Sequence, residues 1–120
     1  MSESDINKLA VRSKVWLELD GAPFMGEGRL ALLRAIDRHG SFLRASEETR
    51  ISYRRARGMI REMENNLGRP LVITSRGGKD GGGAEITADA RELIRRFELQ
   101  QQGIHEPVDE IFRRLFGDFI

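Results

Sequence analysis

Between Gly40 and Gly83 the chain reads GSFLRASEETRISYRRARGMIREMENNLGRPLVITSRGGKDGGG, and the order of signals in this run constrains the fold most. Upstream, Leu30, Leu33 and Ile36, with Leu32 beside them, have helical spacing over Glu27–Arg38, and Gly40 ends that helix. Ser41 reads as an N-cap, because its side-chain oxygen can accept from the free N–H groups of the next turn. The helix it opens runs to about Thr49, with Phe42, Ala45 and Thr49 facing inward. Arg50-Ile51 makes a tight turn, with Ile51 pointing into the core, and Ser52 caps a third helix. On that helix Ala56, Met59, Ile60, Met63 and Leu67 form one apolar stripe, while Arg54, Arg57 and Arg61 form another. Gly68 stops it and Pro70 keeps it from resuming. Leu71–Ser75 reads as a strand, Arg76–Ala84 as a loop and Glu85–Thr87 as the returning strand. The expected fold is mainly α with a small β-hairpin wing: a winged helix-turn-helix with C-terminal dimerisation helices.

The flanks extend this frame. Residues 1–13 are expected to be an arm, frayed or weakly helical. Residues 14–87 are expected to be the winged domain and 88–120 the C-terminal helices. Lys14–Leu19 alternates like a strand, Asp20-Gly21 is a turn signal, and Phe24-Met25 suits a short return strand. Thr87 caps a fourth helix, over 88–102, which Gly103 breaks or bends; Glu106-Pro107 then suits a new helix start. Val108, Ile111, Phe112, Leu115, Phe116 and Phe119 give an apolar face rich in phenylalanine. This face either folds back on the core or pairs with a second subunit. The dimer is the favoured expectation, because an apolar face of this size is unusual on a monomer. The candidate dimerisation residues are Leu93, Phe97, Ile111, Phe112, Leu115, Phe116 and Phe119.

Net charge is only +1, yet its distribution is uneven. Residues 1–49 carry a net −1, residues 50–79 a net +6 with Glu62 and Glu64 their only acids, and residues 80–120 a net −4. Positive charge is therefore concentrated on the third helix and the start of the wing, the footprint expected for phosphate contact. A helix fits the major groove of duplex DNA, and residues near its N-terminus reach base edges. The candidate DNA-contact set is Ser41, Ser52, Tyr53, Arg54, Arg55, Arg57 and Arg61, with Arg76 and Lys79 on the wing. Arginine can pair with O6 and N7 of guanine; glycine lets the wing backbone approach phosphate closely.

Other function classes fare worse. The two histidines, His39 and His105, lie near helix ends where caps or surface roles are usual, and no HExxH or metal-spaced cluster is present. The glycine run lacks the lysine followed by serine or threonine of a phosphate-binding loop, since Asp80 follows Lys79. No enzyme activity, cofactor or metal is expected. With no cysteine, no apolar run of membrane-spanning length and no signal-peptide core, a cytoplasmic protein without membrane association is the plain expectation. The alternative is a winged helix used for protein–protein interaction or assembly, for which the arginine-rich third helix is an unusual surface.

From about Lys14 to Phe97 the chain resembles the N-terminal winged-helix domain of molybdate-dependent transcriptional regulators, the ModE family, and more distantly the LysR-type DNA-binding domain. The resemblance rests on Gly40-Ser41, Ala45, Ile51-Ser52-Tyr53-Arg54-Arg55-Ala56, Glu62-Met63, Leu67-Gly68-Arg69-Pro70-Leu71 and the Gly77–Ala84 wing. It implies a homodimer on a palindromic operator, with Ser52, Tyr53, Arg54 and Arg55 toward double-stranded DNA. Arg57 departs from the family's frequent tryptophan, and Asp80 from its glycine. Members also carry C-terminal molybdate-binding barrels. The 23 residues after Phe97 are too few for one, so molybdate binding of that kind is not expected here, and a separate sensor protein could supply the sensing region.

Overall fold

In the computed structural model, residues 9–76 and 82–119 are described. They divide into two compact units: Trp16–Arg95, and the N-terminal segment to Val15 together with the chain from Arg96 onward.

The first unit opens with a hairpin of β1 (Leu17–Leu19) and β2 (Ala22–Met25). Asp20 and Gly21 both have positive φ, 52° and 81°, so the Asp-Gly pair forms the two-residue turn whose twist matches antiparallel strands. Residues 14–19 alternate exposed with half-buried, as the sequence pattern predicts, though only Leu17–Leu19 pair as strand. Helix α1 (Glu27–His39) follows and buries Leu32, Leu33, Ala35 and Ile36. It ends where Gly40 turns left-handed at φ 64°, a conformation that costs other residues a Cβ clash.

Helix α2 (Phe42–Thr49) starts at the Ser41 cap, whose Oγ accepts from the Arg44 N–H, and buries Phe42, Ala45 and Ser46. Arg50 closes it in the left-handed region at φ 59°, an uncommon place for a side chain this long, and Ile51 beyond it is half-buried. Helix α3 (Tyr53–Leu67) buries Ala56, Ile60 and Met63 and stops at Gly68. Strands β3 (Val72–Ser75) and β4 (Gly83–Ile86) then form the wing, in register from Val72↔Ile86 to Ser75↔Gly83. The returning strand thus begins two residues earlier than Glu85, since pairing extends into the glycine run. The wing is tied to the helices by backbone: the Ala84 N–H donates to the Gly40 carbonyl at 2.8 Å, and the Thr87 N–H to Leu71 at 3.0 Å. Met25, Leu32, Leu33, Ile36, Met63 and Leu71 are fully buried and form the centre of the core. Truncating one such leucine to alanine removes both transfer energy and packing, about 2–5 kcal/mol. The unit is a winged helix-turn-helix, as expected.

Helix α4 (Ala88–Phe116) starts on Thr87, whose Oγ1 accepts from the Ala90 N–H and donates to the Pro70 carbonyl. Two helices were expected beyond this cap, with a break at Gly103 and a restart at Pro107. The structure instead has one 29-residue helix with Pro107 inside it. The physical reason is the spacing. Proline removes the bond to the carbonyl four residues back, which here belongs to Gly103, so both breakers act on one rung of the ladder. A single lost bond is tolerable in a helix this long.

In the second unit residues 9–15 carry no helix, so of the two expectations for the arm, frayed or weakly helical, the helical one does not hold for its described part; residues 1–8 lie outside the described residues. The segment is held along α4 by polar contacts. Gln101 Nε2 donates to the Val15 carbonyl at 3.1 Å, and Ser13 Oγ meets His105 Nδ1 at 2.6 Å. His105 Nε2 lies 3.2 Å from Gln101 Oε1. One tautomer serves both contacts, with Nε2–H donating to Gln101 and Nδ1 accepting from Ser13. The expected boundaries at 13 and 87 therefore shift: the start of α4 groups with the winged domain, and its later part with the N-terminal segment. Among the described residues no helix is long and apolar enough to cross a membrane.

Candidate nucleic-acid interface

The first turn of α3 is set by Ser52. Its Oγ accepts from the Arg55 N–H at 3.1 Å and its carbonyl from the Ala56 N–H at 2.8 Å. The cap places Tyr53, Arg54 and Arg55 in succession at the exposed N-terminal end of the helix. That end carries the positive pole of the helix dipole, which favours anions. Among the described residues no ion pair reaches Arg54, Arg55 or Arg61, and all three are exposed.

The two acids of α3 do not neutralise this surface, because both are engaged elsewhere. Glu62 pairs with Arg29 at 3.3 Å, while Arg29 also donates to the carbonyls of Pro23 and Phe24 at 3.1 and 2.9 Å. Arg29 thereby links α1, the end of β2 and α3. Glu64 Oε2 accepts from the backbone N–H groups of Leu71 and Val72 at 2.7 and 3.1 Å. A carboxylate accepting two backbone N–H groups makes charge-assisted bonds, stronger than neutral ones. This clamp fixes the start of the wing against α3. Sequence reading treated Glu62 and Glu64 only as negative charge. The available signal was position: Glu64 follows the buried Met63 and lies one turn after the buried Ile60, on the flank of the apolar stripe.

Arg57 differs from its neighbours. It is half-buried, with its guanidinium 4.8 Å from the centre of the Phe42 ring and 5.8 Å from that of Tyr53. Its Nη1 lies 3.4 Å from the Tyr53 hydroxyl, and the two rings meet edge to face at 6.3 Å. Phe42 belongs to this cluster although the sequence marked it only as core. Ser41 is a correction. It is 3% exposed and its Oγ already serves the α2 cap, so burial removes it from the contact set. Arg61 lies one turn beyond Arg57, lining the groove between α3 and β3 with Glu64, Val72 and Thr74. Arg76 is exposed at the end of β3, and Lys79 lies outside the described residues.

The dimerisation set also divides. Phe97 is 1% exposed and belongs to the chain's own core, which corrects its assignment to a partner face. Leu93 and Phe112 are half-buried, and Phe112 stacks on Phe116 at 5.6 Å. Ile111, Leu115, Phe116 and Phe119 remain exposed, Leu115 at 61% and Phe119 at 79%.

Between α1 and α2, charge is paired. Arg38 and His39, at the end of α1, both bond the Glu48 carboxylate of α2, the His39 contact being 2.9 Å. The hydrogen bond from His39, and then that from Arg38, hold the Glu48 carboxyl below the usual carboxylate range.

Residues 28–91, which contain α2, α3 and the wing, match the bacterial regulatory helix-turn-helix proteins of the lysR family. The chain belongs to that family. Its winged domain is ModE-like. The molybdenum-pterin-binding protein MopB of Rhodobacter capsulatus is 41% identical over 90 residues, covering 75% of this chain and 33% of MopB. The DNA-binding transcriptional dual regulator ModE of Escherichia coli K12 is 35% identical over 86 residues, covering 72% of this chain and 33% of that protein. The chain thus spans about a third of the length of these relatives. Among solved structures, full-length LysG from Corynebacterium glutamicum is similar with a TM-score of 0.54 at 22% identity, over 72% of this chain and 29% of LysG, a likeness of fold.

Proposed function

We propose that this chain is a cytoplasmic, sequence-specific DNA-binding transcriptional regulator that acts as a homodimer on a palindromic operator. The observation that carries the reading is the first turn of α3. Arg54 and Arg55 stand exposed at a helix N-terminus, and both acids of that helix are engaged in holding the fold. Arg54 and Arg55 supply base-edge contacts, and Arg61 and Arg76 supply phosphate contacts. The family supports the reading, and so does the E. coli relative named as a DNA-binding transcriptional regulator. The dimer rests on the exposed Ile111, Leu115, Phe116 and Phe119, an apolar cluster whose burial against a second copy is favourable at roughly 25 cal/mol per Å². Two-fold symmetry then matches two half-sites about one helical turn apart.

Selection of the purified protein on a random duplex library, sequenced at near-physiological salt, tests the proposal. An enriched palindrome is the expected result. A folded protein that enriches nothing and binds no plain duplex would move the assignment to protein–protein interaction.

A further inference from the structure

We propose that Arg57 is a positioning residue: it holds the Tyr53 ring so that the phenol hydroxyl donates to a backbone phosphate of bound DNA. The inference rests on the reading of α3 as a DNA surface and deepens it. Arg57 and its neighbours share a residue type but not a geometry. Arg54 and Arg55 are exposed, whereas Arg57 lies against two aromatic rings, 4.8 Å from the centre of Phe42 and 5.8 Å from that of Tyr53. A guanidinium over an aromatic face is attracted by the ring quadrupole, and its planarity lets it stack as an ammonium cannot. Phe42 is buried and fixed in the core, so it anchors the stack from below. Tyr53 is 46% exposed and sits at the first position of the helix. The Phe42 edge contact at 6.3 Å and the Arg57 contact constrain its ring from two sides.

The hydrogen-bond arithmetic gives the direction of donation. Guanidinium has donors only, so the Nη1 contact at 3.4 Å uses the phenol oxygen as acceptor and leaves the phenol O–H to donate outward. A donor already polarised by an upstream hydrogen bond is a stronger donor. The acceptor it faces at a helix N-terminus is an anion, and on duplex DNA that anion is phosphate. Arg57 therefore acts through Tyr53. Its contribution needs a flat guanidinium, and charge alone does not replace it.

The test compares wild type, Arg57→Lys, Tyr53→Phe and the double variant on a random-sequence duplex at 50 mM salt, since a phosphate contact is independent of sequence. Tyr53 is the chain's only tyrosine. Fluorotyrosine labelling of wild type and Arg57→Lys therefore gives a single resonance for the ring in the absence of DNA. Each single variant is expected to bind roughly tenfold more weakly, the size of one hydrogen bond to a charged group, and the double variant no more weakly than either. The fluorine resonance is expected to move toward its unfolded position and sharpen in Arg57→Lys, with the melting temperature unchanged. Wild-type affinity in Arg57→Lys, or losses that multiply in the double variant, would overturn the positioning role and leave Arg57 a plain charge. Failure of wild type to bind the duplex would overturn the DNA reading itself, whatever the resonance shows.

Discussion

Helices α3 and α4 both carry several arginines and use them in opposite ways. On α4, Arg91 forks onto both oxygens of Asp37 at 3.0 and 3.2 Å, Arg95 pairs with Glu92 and Arg113 with Glu110, each at 2.6 Å. On α3 the acids are the engaged partners: Glu62 is held by Arg29 and Glu64 by two backbone N–H groups, while Arg54 and Arg55 face solvent. The difference teaches that a count of charges says little about a surface. What matters is whether each charge has a partner fixed by the fold. The paired arginines of α4 are satisfied by carboxylates of α4 and α1, whereas Arg54 and Arg55 of α3 stand exposed with no such partner among the described residues.

The comparison can be broken at several points. The largest effect is expected from Glu64→Leu, which strips the acceptor from two backbone N–H groups. A loss of about 1–3 kcal/mol should appear in denaturant unfolding, and Glu64→Gln should recover part of it. No change would show the clamp to be incidental. Next, Arg54→Ala should lose roughly 1–3 kcal/mol on the selected operator and relax preference at one base position. Equal loss on operator and random duplex would reduce Arg54 to simple charge. Arg76→Ala should weaken binding to all sequences alike and lower the slope of log K against log salt by about 1. A smaller effect concerns pH. Because the Glu48 carboxyl is depressed in the fold, its stabilising contribution is present above about pH 4.5 and is lost as pH falls through the folded value. The melting-temperature gap between wild type and Glu48→Gln should therefore close on acidification below that point; a constant gap would count against the His39 and Arg38 contacts. The smallest effect belongs to α4. Arg113→Ala should change stability by less than ~0.5 kcal/mol and duplex affinity not at all, because its pair is exposed and one turn apart.

Much of the fold was legible from punctuation. Gly40, Ser41, Ser52, Gly68 and Thr87 each mark a helix end by local chemistry, and each stands where that chemistry requires. Caps are short-range devices, so sequence suffices to find them. Pro107 was misleading for the same reason that caps are informative: its local rule is strong, but the cost was merged with that of Gly103 on one rung. In the candidate site, the exposure of Tyr53, Arg54 and Arg55 followed from helical phase and the Ser52 cap. The engagement of Arg57 with Phe42 did not, since Phe42 comes from α2 and the guanidinium from α3. Phe97 illustrates the converse, an apolar residue assigned to a partner face that proves to be fully buried in a single chain.

The sequence by itself determined the order of elements, the apolar stripe of α3 and the concentration of positive charge between Arg50 and Lys79, because spacing and local capping are properties of neighbouring residues. Tertiary structure alone decided which charges remain available. Arg29 lies 33 residues from Glu62, and Glu64 reaches amides seven and eight residues away across the Gly68 turn. Pairings of that kind depend on how elements pack, and no local pattern encodes them.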